Sequence, residues 1–135
     1  MKNIIIAGLI AGIAVLILNI IGLYLTIWLF PDIAAQYFSP AFNTQPGRFM
    51  FYYSHPFVIS LALSWCWNRF KGVLKGTLLV RGLEFGFIYV MVATFPLLWL
   101  IYSAMDVTLA IVLTWLFLAF AQGVIAGFVF GKVNP

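Results

Sequence analysis

The chain has 135 residues, of which 65% are hydrophobic and only 7% charged, with seven Lys and Arg against three Asp and Glu for a net charge of +4. An ordinary soluble domain carries about 25% charged residues, so this composition excludes a water-soluble globule, and the length leaves room for one integral membrane domain. No basic run alternates with aromatic residues, so nucleic acid is not an expected partner.

Four apolar runs, about 4–30, 50–69, 77–102 and 107–130, each approach or exceed the ~20 residues that carry a helix across a bilayer. The first, after Met1-Lys2-Asn3, is too long for a signal-peptide core and is expected to remain as a helix with Tyr24 and Trp28 near its far end. Pro31-Asp32 ends it. Residues 31–49 form the one substantial loop; 33–38 fit a short interfacial helix, and Pro40, Pro46 and Gly47 break anything longer. Its aromatic residues, Phe38, Phe42 and Phe49 among them, suit an interfacial belt, with a lid over a ligand as the alternative.

The second helix carries Pro56 near its start and Trp65 and Trp67 near its end, where indoles mark a membrane interface. The short connection 69–76 is basic. The third helix is expected to kink near 92–96, just before Pro96. Trp99 and Tyr102 close it, and Asp106 is placed to cap the fourth helix.

Six basic residues, Lys2, Arg69, Lys71, Lys75, Arg81 and Lys132, fall on one side if the chain crosses four times; only Arg48 falls on the other. Cytoplasmic segments retain Lys and Arg, so the expected fold is an all-α, four-helix transmembrane bundle, up-down-up-down, with both termini cytoplasmic.

Small residues spaced four apart let helices approach closely in lipid. Gly8 and Gly12 mark the first helix, Gly82 and Gly86 the third, and Gly123, Gly127 and Gly131 the fourth. All three faces lie toward the basic side, so helices one, three and four are expected to converge there. The second helix, without such a motif, is expected to be peripheral. The opposite half, rich in Trp28, Phe57, Phe95, Trp99, Trp115 and Phe117, is expected to splay and to accept a lipid tail, a pigment, a quinone or a neighbouring subunit.

Polar groups in the apolar runs are few, and ionisable ones are functional candidates by default. Arg81 and Glu84, three apart, are expected to pair on one helical face, with a proton or cation site at Glu84 as the sharper alternative. Asn19 and Gln122, each near mid-helix, are expected to hydrogen-bond across neighbouring helices. Thr26, Thr94 and Thr114 are expected to return their hydroxyls to helix carbonyls. His55 is the only histidine; an interfacial role and axial ligation of a haem or pigment metal both fit it. One His and the single Cys66 make neither a metal set nor an internal disulfide. No nucleophile–base set, phosphate loop or dinucleotide fingerprint occurs, so no catalytic residue, metal or cofactor is expected.

The opening Ile6-Ala7-Gly8-Leu9-Ile10-Ala11-Gly12 with Asn19, and the closing Ala121-Gln122-Gly123-Val124-Ile125-Ala126-Gly127, resemble a loosely defined group of small, uncharacterised bacterial four-helix inner-membrane proteins. The resemblance covers mainly the terminal helices. It implies the fold and a bacterial inner membrane, and no activity. The expected role is a non-enzymatic accessory or scaffold subunit of a larger membrane complex, with the lipid bilayer and other subunits, or copies of itself, as partners. The alternatives are a small-molecule or ion carrier using Glu84, Asn19 and Gln122, and a pigment-, haem- or quinone-binding electron-transfer subunit using His55.

Overall fold

In an apolar run, backbone amides find partners only within their own segment, and a helix provides all of them. A computed structural model describes residues 2–39, 42 and 46–135, and among these every regular element is helical. They are α1 (Lys2–Leu29), the short α2 (Pro31–Gln36), a 3₁₀ turn (Pro46–Arg48), α3 (Phe49–Phe70), α4 (Leu78–Tyr89), α5 (Phe95–Ala104) and α6 (Leu109–Val133). Pro40 lies outside the described residues.

Lys2–Leu29, Leu78–Ala104 and Leu109–Val133 are each long and apolar enough to cross a membrane. With its 22 residues α3 has the length but falls short in apolarity, diluted by Ser54, His55, Ser60, Ser64 and Asn68.

The element boundaries follow local chemistry. Pro31 cannot continue α1 and instead begins α2. Pro96 has no N–H to donate, and the chain absorbs the gap as a π-helical segment, Val90–Thr94, where the Phe95 amide reaches back to the Val90 carbonyl. Gly76, at φ +102°, takes the left-handed backbone that turns the chain into α4, whose first turn Thr77 caps. The cap of α6 is Thr108, whose side chain accepts from the Ile111 amide, rather than Asp106. Asp106 lies two residues too early to reach those amides and remains exposed.

Packing pairs the helices antiparallel. A methyl group on Gly123 would lie 2.9 Å from the Gly86 Cα, and one on Gly127 3.0 Å from the Gly82 Cα, so α4 and α6 touch backbone to backbone along the expected glycine seam. The glycines of α1 do something else. A methyl on Gly8 would meet Leu61, and one on Gly12 would meet Phe57, both on α3. The expected peripheral second helix is therefore corrected, while the expected convergence is reached through the alanines: Ala7 and Ala11 of α1 share one buried core with Phe85 of α4 and Ala126 and Phe130 of α6. α3 packs along α1, and its own small-residue face is made of serines: Ser60 and Ser64, four apart, are fully buried, and Ser64 Oγ donates to the Ile4 carbonyl at 2.7 Å. Phe57 thereby belongs to the α1–α3 seam, not to a splayed half.

The core sits at the end of the molecule that carries Lys71, Lys75 and Lys132, here called the basic end. Trp67, Phe85 and Phe130 meet there with ring centroids 5.2–6.0 Å apart. Trp67 is 0% exposed, which corrects its expected place at an interface; Trp65, 54% exposed with the Arg69 guanidinium over it, does face outward. The buried indole N–H donates to the Asn134 carbonyl at 2.9 Å, and Lys71 Nζ donates to Asn134 Oδ1 at 2.9 Å. The start of the basic 69–76 connection and the end of α6 are thus joined.

Candidate ligand cavity

At the opposite, loop end the helices part. α1 packs on both α3 and α6, and α6 on α4, but α3 and α5 share no comparable seam. Between them lies a predominantly apolar cavity of about 960 Å³, at the upper end of the ~300–1,000 Å³ usual for small-molecule sites.

Each wall arises from a helical stripe. Along α3, Tyr52, His55, Ile59, Ala62 and Cys66 recur every three or four residues and so line one face for roughly 21 Å. Opposite them stand Tyr89, Ala93, Thr94 and Leu97, from the π-helical segment and its flanks. The back wall comes from α1 and α6, with Asn19, Leu23 and Thr26 beside Trp115, Leu118 and Gln122. Tyr37, Phe38 and Phe42 form the roof. Tyr37 and Phe42, 5.6 Å apart, pack against Trp115 with centroids 5.9–6.3 Å from its ring, and the Trp115 indole N–H donates to the Tyr37 hydroxyl at 2.8 Å. Burial pushes the Tyr37 phenol above its usual range, while the indole bond pulls it the other way. Thr108 Oγ1 donates to Gln36 Oε1 at 2.6 Å and ties the roof to α6. The aromatics at this end divide accordingly: Tyr37, Phe38, Phe42 and Phe49 line the cavity, while Trp28 of α1, Phe51 of α3 and Trp99 of α5 are exposed as a belt requires.

The polar candidates do not gather into one site. Gln122 Nε2 donates to Asn19 Oδ1 at 2.7 Å, as expected, at the deep edge of the cavity. Such bonds between membrane helices average about 0.6 kcal/mol and reach about 1.7. Asn19→Leu and Gln122→Leu are each expected to destabilise by about 1 kcal/mol. The double variant should cost less than their sum, because neither amide is then left unpaired; strictly additive losses in detergent unfolding would mean that the bond is not made.

Arg81 and Glu84 do not pair. The Arg81 guanidinium lies over the Trp67 indole, 5.0 Å from its ring centre, and its Nε has no hydrogen-bond partner. The buried π face draws the cation inward while Glu84 remains exposed on the outer surface of α4, away from the cavity. Glu84, Asn19 and Gln122 therefore do not lie along one path. Thr26 and Thr114 donate to the Gly22 and Ala110 carbonyls at 2.8 Å as expected. Thr94 does not: its hydroxyl, in the π-helical segment where the carbonyl ladder is disturbed, is buried without a partner.

His55 is exposed and forms part of the α3 wall. Among the described residues no group of three His, Cys, Asp or Glu could hold a metal ion. The sequence reading missed Arg48 as a site residue. Of the seven basic and three acidic side chains, all of them described, Arg48 alone lines the cavity. The signal that marks it is its isolation from the other six basic residues. The cavity offers a long, predominantly apolar slot with Arg48, Tyr52 and His55 at its loop end and the Asn19–Gln122 pair at its deep edge. No family model matches the chain, and neither does any curated protein or solved structure.

Proposed function

We propose that this chain is a non-enzymatic integral protein of the bacterial inner membrane that holds one lipid-like molecule in the cavity between α3 and α5. In this reading it crosses four times with both ends cytoplasmic and serves as an accessory subunit of a larger membrane assembly. The charge bias supports the orientation, since six of seven basic residues lie toward the basic end. The polarity of α3 is compatible with a fourth crossing. Ser60 and Ser64 are fully buried, Ser64 bonded to α1, so these two hydroxyls do not meet lipid tails, and His55 lines the cavity. The observation that carries the binding role is the cavity itself: apolar, of ligand size, and bounded by two helices that do not close on each other.

Native mass spectrometry of protein extracted in mild detergent tests this. The expected species is the chain with one retained amphiphile, alone or within a larger assembly. Ala62→Phe and Ala93→Phe fill opposite walls at exposed positions and should remove the amphiphile without lowering the unfolding midpoint. A bare polypeptide with neither ligand nor partner, or equal retention in both filled variants, overturns the proposal. The position of His55 attaches the pigment, haem or quinone alternative to the same cavity. Visible absorbance that is lost in His55→Ala selects that alternative.

A further inference from the structure

Resting on that reading, we infer that the occupant is an anionic amphiphile, held with its headgroup at Arg48 and His55 and its tail along α3 toward Cys66, and admitted sideways from the outer leaflet. Three observations converge on it. Arg48 is the one basic residue that departs from the inward bias, and it is also the one charged side chain on the cavity wall. Neither Asp32 nor Asp106, the acids at the same end, lines the cavity, so no carboxylate on the wall offsets it.

The α3 stripe is graded. Arg48, Tyr52 and His55 supply a cation, a hydroxyl and an imidazole at the loop end; Ile59, Ala62 and Cys66 continue the same line with apolar or small side chains. That gradient matches an anionic headgroup above a hydrocarbon tail. The slot runs roughly 21 Å, somewhat deeper than the ~15 Å half-thickness of a bilayer's hydrocarbon core. A long single tail therefore fits along it.

The way in is lateral. α3 and α5 lack a packed seam, and the wall residues facing the gap, Ala62, Ala93 and Leu97, are exposed. Tyr37 and Gln36 are tied to α6 by bonds to Trp115 and Thr108, whereas among the described residues no comparable seam joins α3 to α5. A lipid carboxylate and a lipid phosphate present the same anionic oxygens to Arg48, and the test separates them.

The full chain in phosphatidylcholine nanodiscs is titrated with oleate, with mono-oleoyl phosphatidic acid and with neutral mono-olein. The readouts are the mass of the bound species and the rate at which a membrane-permeant maleimide alkylates Cys66, the only cysteine and the residue at the deep end of the slot. At least one anionic amphiphile should protect Cys66 at about tenfold lower concentration than mono-olein, as expected when a charge-assisted hydrogen bond is gained. Oleate alone or the phosphate alone identifies the headgroup; both together show a general anion site. Arg48→Gln should abolish the tenfold preference and leave mono-olein unchanged. Arg48 caps no helix amide with its side chain, so the variant is expected to fold. Equal protection by all three amphiphiles, or anionic binding untouched in Arg48→Gln, overturns the headgroup assignment and leaves the cavity proposal standing. If none of the three binds or protects Cys66, the cavity proposal itself fails.

Discussion

Gly123→Ala is expected to push α4 away from α6 and to destabilise the protein by about 2–3 kcal/mol, the upper part of the range for overpacking. The added methyl would meet the Gly86 Cα at 2.9 Å, and backbone cannot swing aside as a side-chain tip can. Gly86→Ala should cost a similar amount, because its methyl would sit 2.8 Å from the Val124 amide nitrogen. The two share one contact, so their effects should not add. Gly82, the other half of the same motif, behaves differently: a methyl there meets only the Phe128 ring, at 3.5 Å, an ordinary contact. Gly82→Ala is therefore expected to be tolerated. Gly47→Ala and Gly72→Ala, with nothing within 4 Å, should change stability by less than about 0.5 kcal/mol. Detergent-denaturation midpoints give the ranking, and a Gly82→Ala loss as large as that of Gly86→Ala would show that the seam is packed otherwise.

Trp67→Ala is expected to cost about 3–5 kcal/mol, as for other large side chains removed from a core. The indole is fully buried, packs on Phe85 and Phe130, donates to the Asn134 carbonyl and lies under Arg81. Trp67→Phe keeps an aromatic ring and isolates the hydrogen bond; leaving the Asn134 carbonyl without its donor should cost about 1–3 kcal/mol. Arg81→Gln should lose about 0.5–2 kcal/mol, less when Trp67 is already changed, since part of its stabilisation is the cation–π contact. Trp65→Ala provides the contrast. That indole is exposed and should matter little in detergent. Equal losses at Trp65 and Trp67 would contradict the buried placement.

The two tryptophans also show where the sequence was readable and where it was not. They are two residues apart at the end of one helix, and composition alone offers both as interface markers. A helix turns about 200° over two residues, so the pair point to nearly opposite sides, and nothing in a uniformly apolar run says which side is inward. Arg81 and Glu84 misled for a related reason. Spacing of three permits a pair on one face, but a buried indole competed for the cation and prevailed. Ser60 and Ser64 are small enough for close approach and four apart, but beside bulky neighbours in the same run they do not mark a seam in one dimension, and only burial against other helices reveals it. The Asn19–Gln122 bond and the Gly82/Gly86–Gly123/Gly127 seam were legible because both partners were scarce and lay at matching depth. A splayed half rich in aromatic residues is legible in one dimension; the roof of the cavity, its α3 stripe and the place of Arg48 in it depend on contacts between residues far apart in the chain.

Run length, proline, glycine and capping threonines act within a few residues of themselves. For that reason the linear chain already contained the helices, their breaks at Pro31 and Pro96, and the apolar character that suits a bilayer. Neighbour choice is a different kind of quantity. It depends on the rotation of each rod about its own axis, and that rotation is set by steric fit among faces that are all apolar and look alike in one dimension. Only the folded chain therefore assigns Gly8 and Gly12 to α3, puts Trp67 inside, leaves Glu84 outside, and keeps α3 and α5 apart over the space that Arg48 overlooks.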